Sequence, residues 1–237
     1  FDFDGFADIK HTPEQFRDWA EPLLTEFDRA TVAAALASDA IQKPGKNEVA
    51  ATPLCATFGA GHQHFLNRLS LNVDARNTSV REIVGAIFYW RYTNEKKENL
   101  HRTAFRWDPS ENQRYAYSYT NPTDAGVRTV RGANRLAPLG LMLFPAAPYG
   151  RYLHVSISRR SQRRWEFSWP IWSPWLGIEE ICDLIDLPSL AEDYPSRDFL
   201  QPRGICEIFR AERTQIEEYF NFSPARPLWG VRGVEGA

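Results

Sequence analysis

Arg128-Thr-Val-Arg131-Gly-Ala-Asn134-Arg135, the apolar run Leu139 to Tyr149, and Arg159-Arg160-Ser-Gln-Arg163-Arg164-Trp165 follow one another in the middle of the chain. Their reading decides the fold. Arg131 to Leu136 suits a short helix, stopped near Pro138. Tyr152 to Ser158 and Trp165 to Trp169 alternate like strands, so they read as a hairpin with Arg159 to Arg164 at its tip. Downstream, Ile178, Ile181, Cys182 and Ile185 mark a helix, and residues 204–214 read as a late strand. Tyr219 to Pro224 is an aromatic closing segment after a polar loop at 192–203.

Upstream, helices dominate. Thr12-Pro13-Glu14-Gln15 is a helix start, with Thr as cap and Pro at the first helical position. Pro22 kinks or divides that segment. Residues 31–38 are rich in Ala and favour helix. Two glycines, Gly59 and Gly61, lead into a further helix near Phe65. Ser79-Val-Arg-Glu82 is a capping box, and Val80, Ile83, Val84, Ile87 and Phe88 give the helix after it an apolar face. Residues 103–107 and 114–119 read as another hairpin. The expected class is α+β: a helical N-terminal half followed by a mainly antiparallel sheet with flanking helices. One domain over residues 1–237 is expected, with a possible subdivision at 1–100 (helical) and 101–237 (sheet-rich).

Charge is segregated along the chain. Residues 101–164 hold eleven Arg, no Lys and three acids, a net of +8, whereas the whole chain is −2. Residues 165–237 carry thirteen acids and six Arg. Such segregation suggests a basic surface with a polyanionic partner. The chain has 23 Arg and 5 Lys, and the Arg fork grips phosphate bidentately and stacks on rings. An Arg-rich host proteome explains the bias equally well, but not the scarcity of acids between 101 and 164.

Several classes are disfavoured. No apolar run approaches the roughly 20 residues of a membrane span. No basic segment with an apolar core suggests a secretory signal. Three distant cysteines fit a reducing cytoplasm and exclude a Cys-rich zinc site. No cofactor is expected. Phe1-Asp-Phe-Asp4-Gly5 resembles a phosphatase nucleophile loop but has no apolar strand before it.

The candidate nucleic-acid contacts fall into three groups. Arg128, Arg131, Arg135, Arg159, Arg160, Arg163 and Arg164 are candidates to hold phosphate. Lys43, Lys46 and Asn47, on a Pro-Gly turn, are candidates for a groove, although an ordinary solvated turn reads the same way. His62, Gln63, His64 and Asn134 complete the set. His62 and His64 are two apart and so do not share a helix face, which argues against a zinc helix. A metal-dependent nuclease using one of them remains an alternative, as does a scaffold that only bridges proteins through the acidic third and the Trp-rich connector at 170–175.

Phe105-Arg-Trp-Asp-Pro109, Arg131-Gly-Ala-Asn-Arg-Leu-Ala137, Leu143-Phe-Pro145, Phe167-Ser-Trp-Pro-Ile-Trp172, Arg210-Ala-Glu-Arg213 and Asn221-Phe-Ser-Pro224 are scattered short motifs. Together they resemble CRISPR-associated proteins, in the role of the large subunit of a type I (Cascade) complex of a less-studied, I-G/I-U-like subtype. The resemblance spans roughly residues 52–225. It implies a non-catalytic subunit that contacts guide RNA and reads the motif flanking a double-stranded DNA target. Other effector subunits would be its partners, and cleavage would fall to a recruited helicase-nuclease. The chain is much shorter than a typical large subunit and has no obvious C-terminal helical bundle.

Overall fold

A computed structural model describes residues 8–56, 65–73, 79–90, 92–95, 105, 107–109, 127–161, 164–216 and 219–230. The architecture is α+β, with helices leading and antiparallel strands following. Helix α1 spans Pro13–Ala20. Its capping box is formed: Thr12 Oγ1 accepts from the Gln15 amide, and Gln15 Oε1 accepts from the Thr12 amide. Pro22 does divide the segment, as a 3-10 turn over Glu21–Thr25 precedes α2, Phe27–Leu36.

The helix expected over 31–38 stops at Leu36. Ala37–Gln42 is instead strand β1, paired antiparallel with β2, Val49–Ala51. Alanine's helix preference is weak, and the pairing partner decides against it. Gly45, at φ +73°, turns the chain between the two strands. Helix α3 runs Phe65–Val73 and α4 runs Val80–Tyr89 behind the Ser79–Glu82 capping box.

The face expected to bury α4 is wrong. Val80, Ile87 and Phe88 are exposed, and the packed side centres on Ala86. Helix α5, Arg131–Leu141, explains the rotation. Its Gly132 lies so close to α4 that an added Cβ would strike the Glu82 carbonyl and the Ala86 methyl. Small residues set the contact, so hydrophobic periodicity gives the wrong side. Pro138 lies inside α5 rather than ending it, and both Pro138 and Leu141 are buried. Between α4 and α5, β3 (Thr93–Glu95) pairs antiparallel with β4 (Val127–Thr129).

The second half is built on one antiparallel sheet. Strand β5 (Ala147–Tyr149) pairs with β6 (Tyr152–His154) as a separate ribbon. The central hairpin is β7 (Ser158–Ser161) with β8 (Arg164–Trp172). The hairpin expected from 152 to 169 is therefore corrected. Ser158 Oγ donates to the Val155 carbonyl and accepts from the Val155 amide, which makes a turn where a continuous strand was expected. Arg159 and Arg160 consequently lie within a strand, not at a tip.

Helix α6 (Ile178–Ile185) and the short α7 (Arg197–Leu200) flank the sheet, and α7 occupies part of the expected polar loop. Strand β9, Ile205–Ile216, is the sheet's longest member. It pairs with β8 and β10 (Tyr219–Phe222), and β11 (Arg226–Pro227) also lies against it. The register between β8 and β9 slips at Trp172, where a bulge passes over Cys206.

Three apolar clusters hold this together. One joins Phe16, Leu36, Val49, Phe65, Phe105 and Leu141. A second joins Val155, Ile157, Phe167, Ile185 and Phe222, and a third Leu190, Leu200, Ile205 and Ile208. Leu54 and Trp107 pack against both the first and the second, which ties the helical half to the sheet. No helix among the described residues is long and apolar enough to cross a membrane.

Candidate polyanion-binding cleft

Successive strand residues face opposite sides of a sheet. In β7, β8 and β9 this sends neighbouring arginines to opposite faces. Arg159, Glu166 and Glu212 share one face, with Arg210 beside them. Arg160, Trp165 and Arg213 share the other.

The first face consumes its charge internally. Arg159 Nη2 lies 2.5 Å from carboxylate oxygens of both Glu166 and Asp193. Burial opposes the Arg159 charge, but the hydrogen bonds it donates to Asp193 and Glu166 outweigh it and raise its pKa. Arg210 is 3 % exposed. It donates to Ser168 Oγ (2.7 Å) and to the carbonyls of Leu190 (3.2 Å) and Glu192 (2.5 Å), with Glu166 at 3.8 Å. Arg164 reaches Glu212 at 3.2 Å. Arg159, expected to hold phosphate, is committed to carboxylates here, whereas Arg164 pairs with Glu212 and stays largely exposed.

The second face opens into a cleft of about 470 Å³. Lys10, Lys43, Lys46, Arg151, Arg160 and Arg213 line it, and Glu48 is the one acid among the lining residues. The turn between β1 and β2 forms one lip, where Lys43 Nζ donates to Glu48 (3.0 Å) and to the Ile9 carbonyl (3.4 Å). Opposite, the Arg160 guanidinium lies 3.8 Å from the centroid of the Tyr152 ring. Tyr152 and Trp165 meet edge to face at 6.3 Å. At the floor, the Arg213 guanidinium sits 4.0 Å from the Phe220 ring and Nη1 donates to the Pro53 carbonyl (2.9 Å). Burial lowers the Arg213 pKa to about 10, so it stays charged at neutral pH. Cations held on aromatic faces keep their charge while losing side-chain freedom, which suits them to grip an anion.

The predicted residues are thus sorted by the structure. Lys43, Lys46 and Arg160 come together in the cleft. Asn47 stands on the same turn, accepting from Gln42 Nε2 at 3.4 Å. Arg131 is on α5, 3.8 Å from Glu82. Asn134 is buried, and its amide donates to Thr129 Oγ1 at 2.8 Å; it lies in the wall of a separate cavity and not in the cleft. Arg135 donates to the Asn72 carbonyl. Arg128 lies on β4. His62, Gln63, His64, Arg163, the Arg128 side chain and the expected strand at 114–119 lie outside the described residues.

Sequence reasoning missed Lys10, Arg151 and Arg213. Arg213 was visible as part of a late strand and of a short motif; its facing Trp165 follows from register, which no local pattern supplies. Among the described residues, no group of three His, Cys, Asp or Glu could hold a metal ion. No family model matches the chain, and neither a curated protein nor a solved structure matches it.

Proposed function

We propose that the chain is a non-catalytic nucleic-acid-binding subunit that holds phosphate in the cleft between the β1–β2 turn and the sheet. The observation that carries this is the convergence of six cations and one acid around aromatic rings. Phosphate contacts supply most nucleic-acid affinity and make it salt-dependent. Following the resemblance, we read the wider setting as an RNA-guided type I CRISPR complex, with guide RNA, target double-stranded DNA and other effector subunits as partners. A bridging role for a separate surface is favoured by the fully exposed Trp175 and by exposed Tyr194 and Ile178. It is compatible with the first.

The test is binding of labelled single-stranded and duplex oligonucleotides by fluorescence anisotropy across a salt series. Lys43→Ala, Lys46→Ala and Arg160→Ala combined should weaken binding about tenfold or more and make the salt slope shallower. Unchanged affinity in the triple variant, or binding indifferent to salt, overturns the cleft as the site.

A further inference from the structure

The sheet face that floors the basic cleft continues into a second cavity. Trp165 and Arg213 lie in the first; Phe167, Trp169 and Ala211, further along the same strands, line the second. One turn borders both. Pro53 lines the cleft and Leu54 the cavity, and the turn is pinned from both sides, by Arg213 to the Pro53 carbonyl and by Trp107 Nε1 to the Leu54 carbonyl (2.6 Å).

The cavity has different chemistry. It measures about 460 Å³, and Trp90, Tyr92, Trp107 and Trp169 are among its walls. None of its described lining residues is basic, and Asp108 is the one acid. Two of the ring donors are used along the wall: Trp90 Nε1 donates to Tyr92 Oη (3.2 Å), which donates to Asp108 Oδ2 (3.0 Å). Ser223 Oγ donates to the Pro224 carbonyl. Trp90 is held at φ 44°, ψ 50° at the end of α4, a conformation costly for a bulky residue. The left-handed turn that ends the helix thus sets the direction in which the Trp90 ring leaves the chain. The wall therefore offers flat ring faces and a carboxylate acceptor to a flat ligand that carries N–H donors.

We propose that this cavity receives one unpaired, amino-bearing nucleobase (adenine, cytosine or guanine) of a strand whose phosphates lie in the basic cleft. The inference rests on the phosphate reading of that cleft. Trp165 and Trp169 are four residues apart on β8, about 13 Å, so a few nucleotides of a single strand connect the two chambers. Base stacking on aromatic side chains is tolerant of sequence, and the selectivity comes from the acceptor. Asp108 accepts from an exocyclic amino group; uracil and thymine lack one, and their ring N3–H is flanked by two carbonyl oxygens that repel a carboxylate.

The experiment compares single-stranded oligonucleotides of equal length, in RNA and DNA forms: all-adenine, all-cytosine, all-uracil or all-thymine, and a base-free sugar-phosphate backbone. Base-bearing strands should bind about tenfold or more above the base-free one, with uracil and thymine weakest. Trp90→Ala, at a half-exposed position, should lose most of that margin while keeping salt-dependent binding of the base-free strand. Asp108→Asn should narrow the gap between cytosine and uracil. Equal, salt-dependent binding of all strands overturns the base site and leaves the phosphate site standing. No binding of any strand overturns both. An unchanged ranking in Asp108→Asn overturns the role of the carboxylate.

Discussion

The two faces of the β7–β8–β9 sheet use the same residue types for opposite ends. On one, Arg159 and Arg210 share Glu166 and reach Asp193, Ser168 and main-chain carbonyls, so their charge is spent on holding the 190–193 segment to the sheet. On the other, Arg160 and Arg213 rest on Tyr152 and Phe220 and line an open cleft. An arginine paired with acids stabilises structure; an arginine held on a ring keeps its field for a ligand. Adjacent positions in β7, Arg159 and Arg160, differ in this way only because a strand alternates.

The comparison is broken most sharply at Arg210. Arg210→Ala should cost about 3 kcal/mol in urea-unfolding free energy, because Ser168 Oγ and the Leu190 and Glu192 carbonyls lose a buried charged donor, while Glu166 keeps Arg159. A small loss would mean that the ion-pair face is not structural. Arg160→Ala should do the reverse, changing stability by less than about 0.5 kcal/mol while weakening oligonucleotide binding severalfold and lowering the salt slope. If both variants behaved alike, the two faces would not be distinct.

A pH series sharpens the contrast further. His154 sits 4.9 Å from Trp165 on the cleft side, and its pKa is lowered from 6.5, chiefly by burial and also by the Arg160 charge, against a backbone hydrogen bond with Ser158. The unfolded chain then binds the proton more readily. Its contribution to stability is full above 6.5 and is lost as pH falls from there through the lower folded value. The melting temperature should decline over that window, and His154→Gln should flatten the decline. The smallest expected effect is at Glu48, the acid of the cleft. Glu48→Gln should tighten oligonucleotide binding by about threefold at low salt, as one repelled carboxylate is removed, and the gain should fade as salt is added.

Local signals were legible. Thr12 and Ser79 announce α1 and α4, Pro22 divides α1 from α2, and the late strand from 204 is present as β9. These depend on residues within one turn of each other. The α4 face was not legible, since Gly132, some fifty positions away, decides which side packs. The candidate site was legible in part. Lys43, Lys46 and Arg160 were singled out, but nothing local links a turn near residue 45 to strands near 160 and 213. Charge counting marked the Arg159 to Arg164 run correctly as basic and could not tell that Arg159 and Arg164 would meet Glu166, Asp193 and Glu212.

By itself, then, the sequence determined the α+β class, the caps, the strands β8 and β9 and a basic middle third, because propensity, capping and alternation act over a few residues. Only the tertiary structure decided which arginines pair with acids and which face the cleft, and that one sheet face carries a basic and an aromatic chamber. Those outcomes depend on strand register and on contacts between segments far apart in the chain, where the free energy of pairing is set by neighbours that no local window contains.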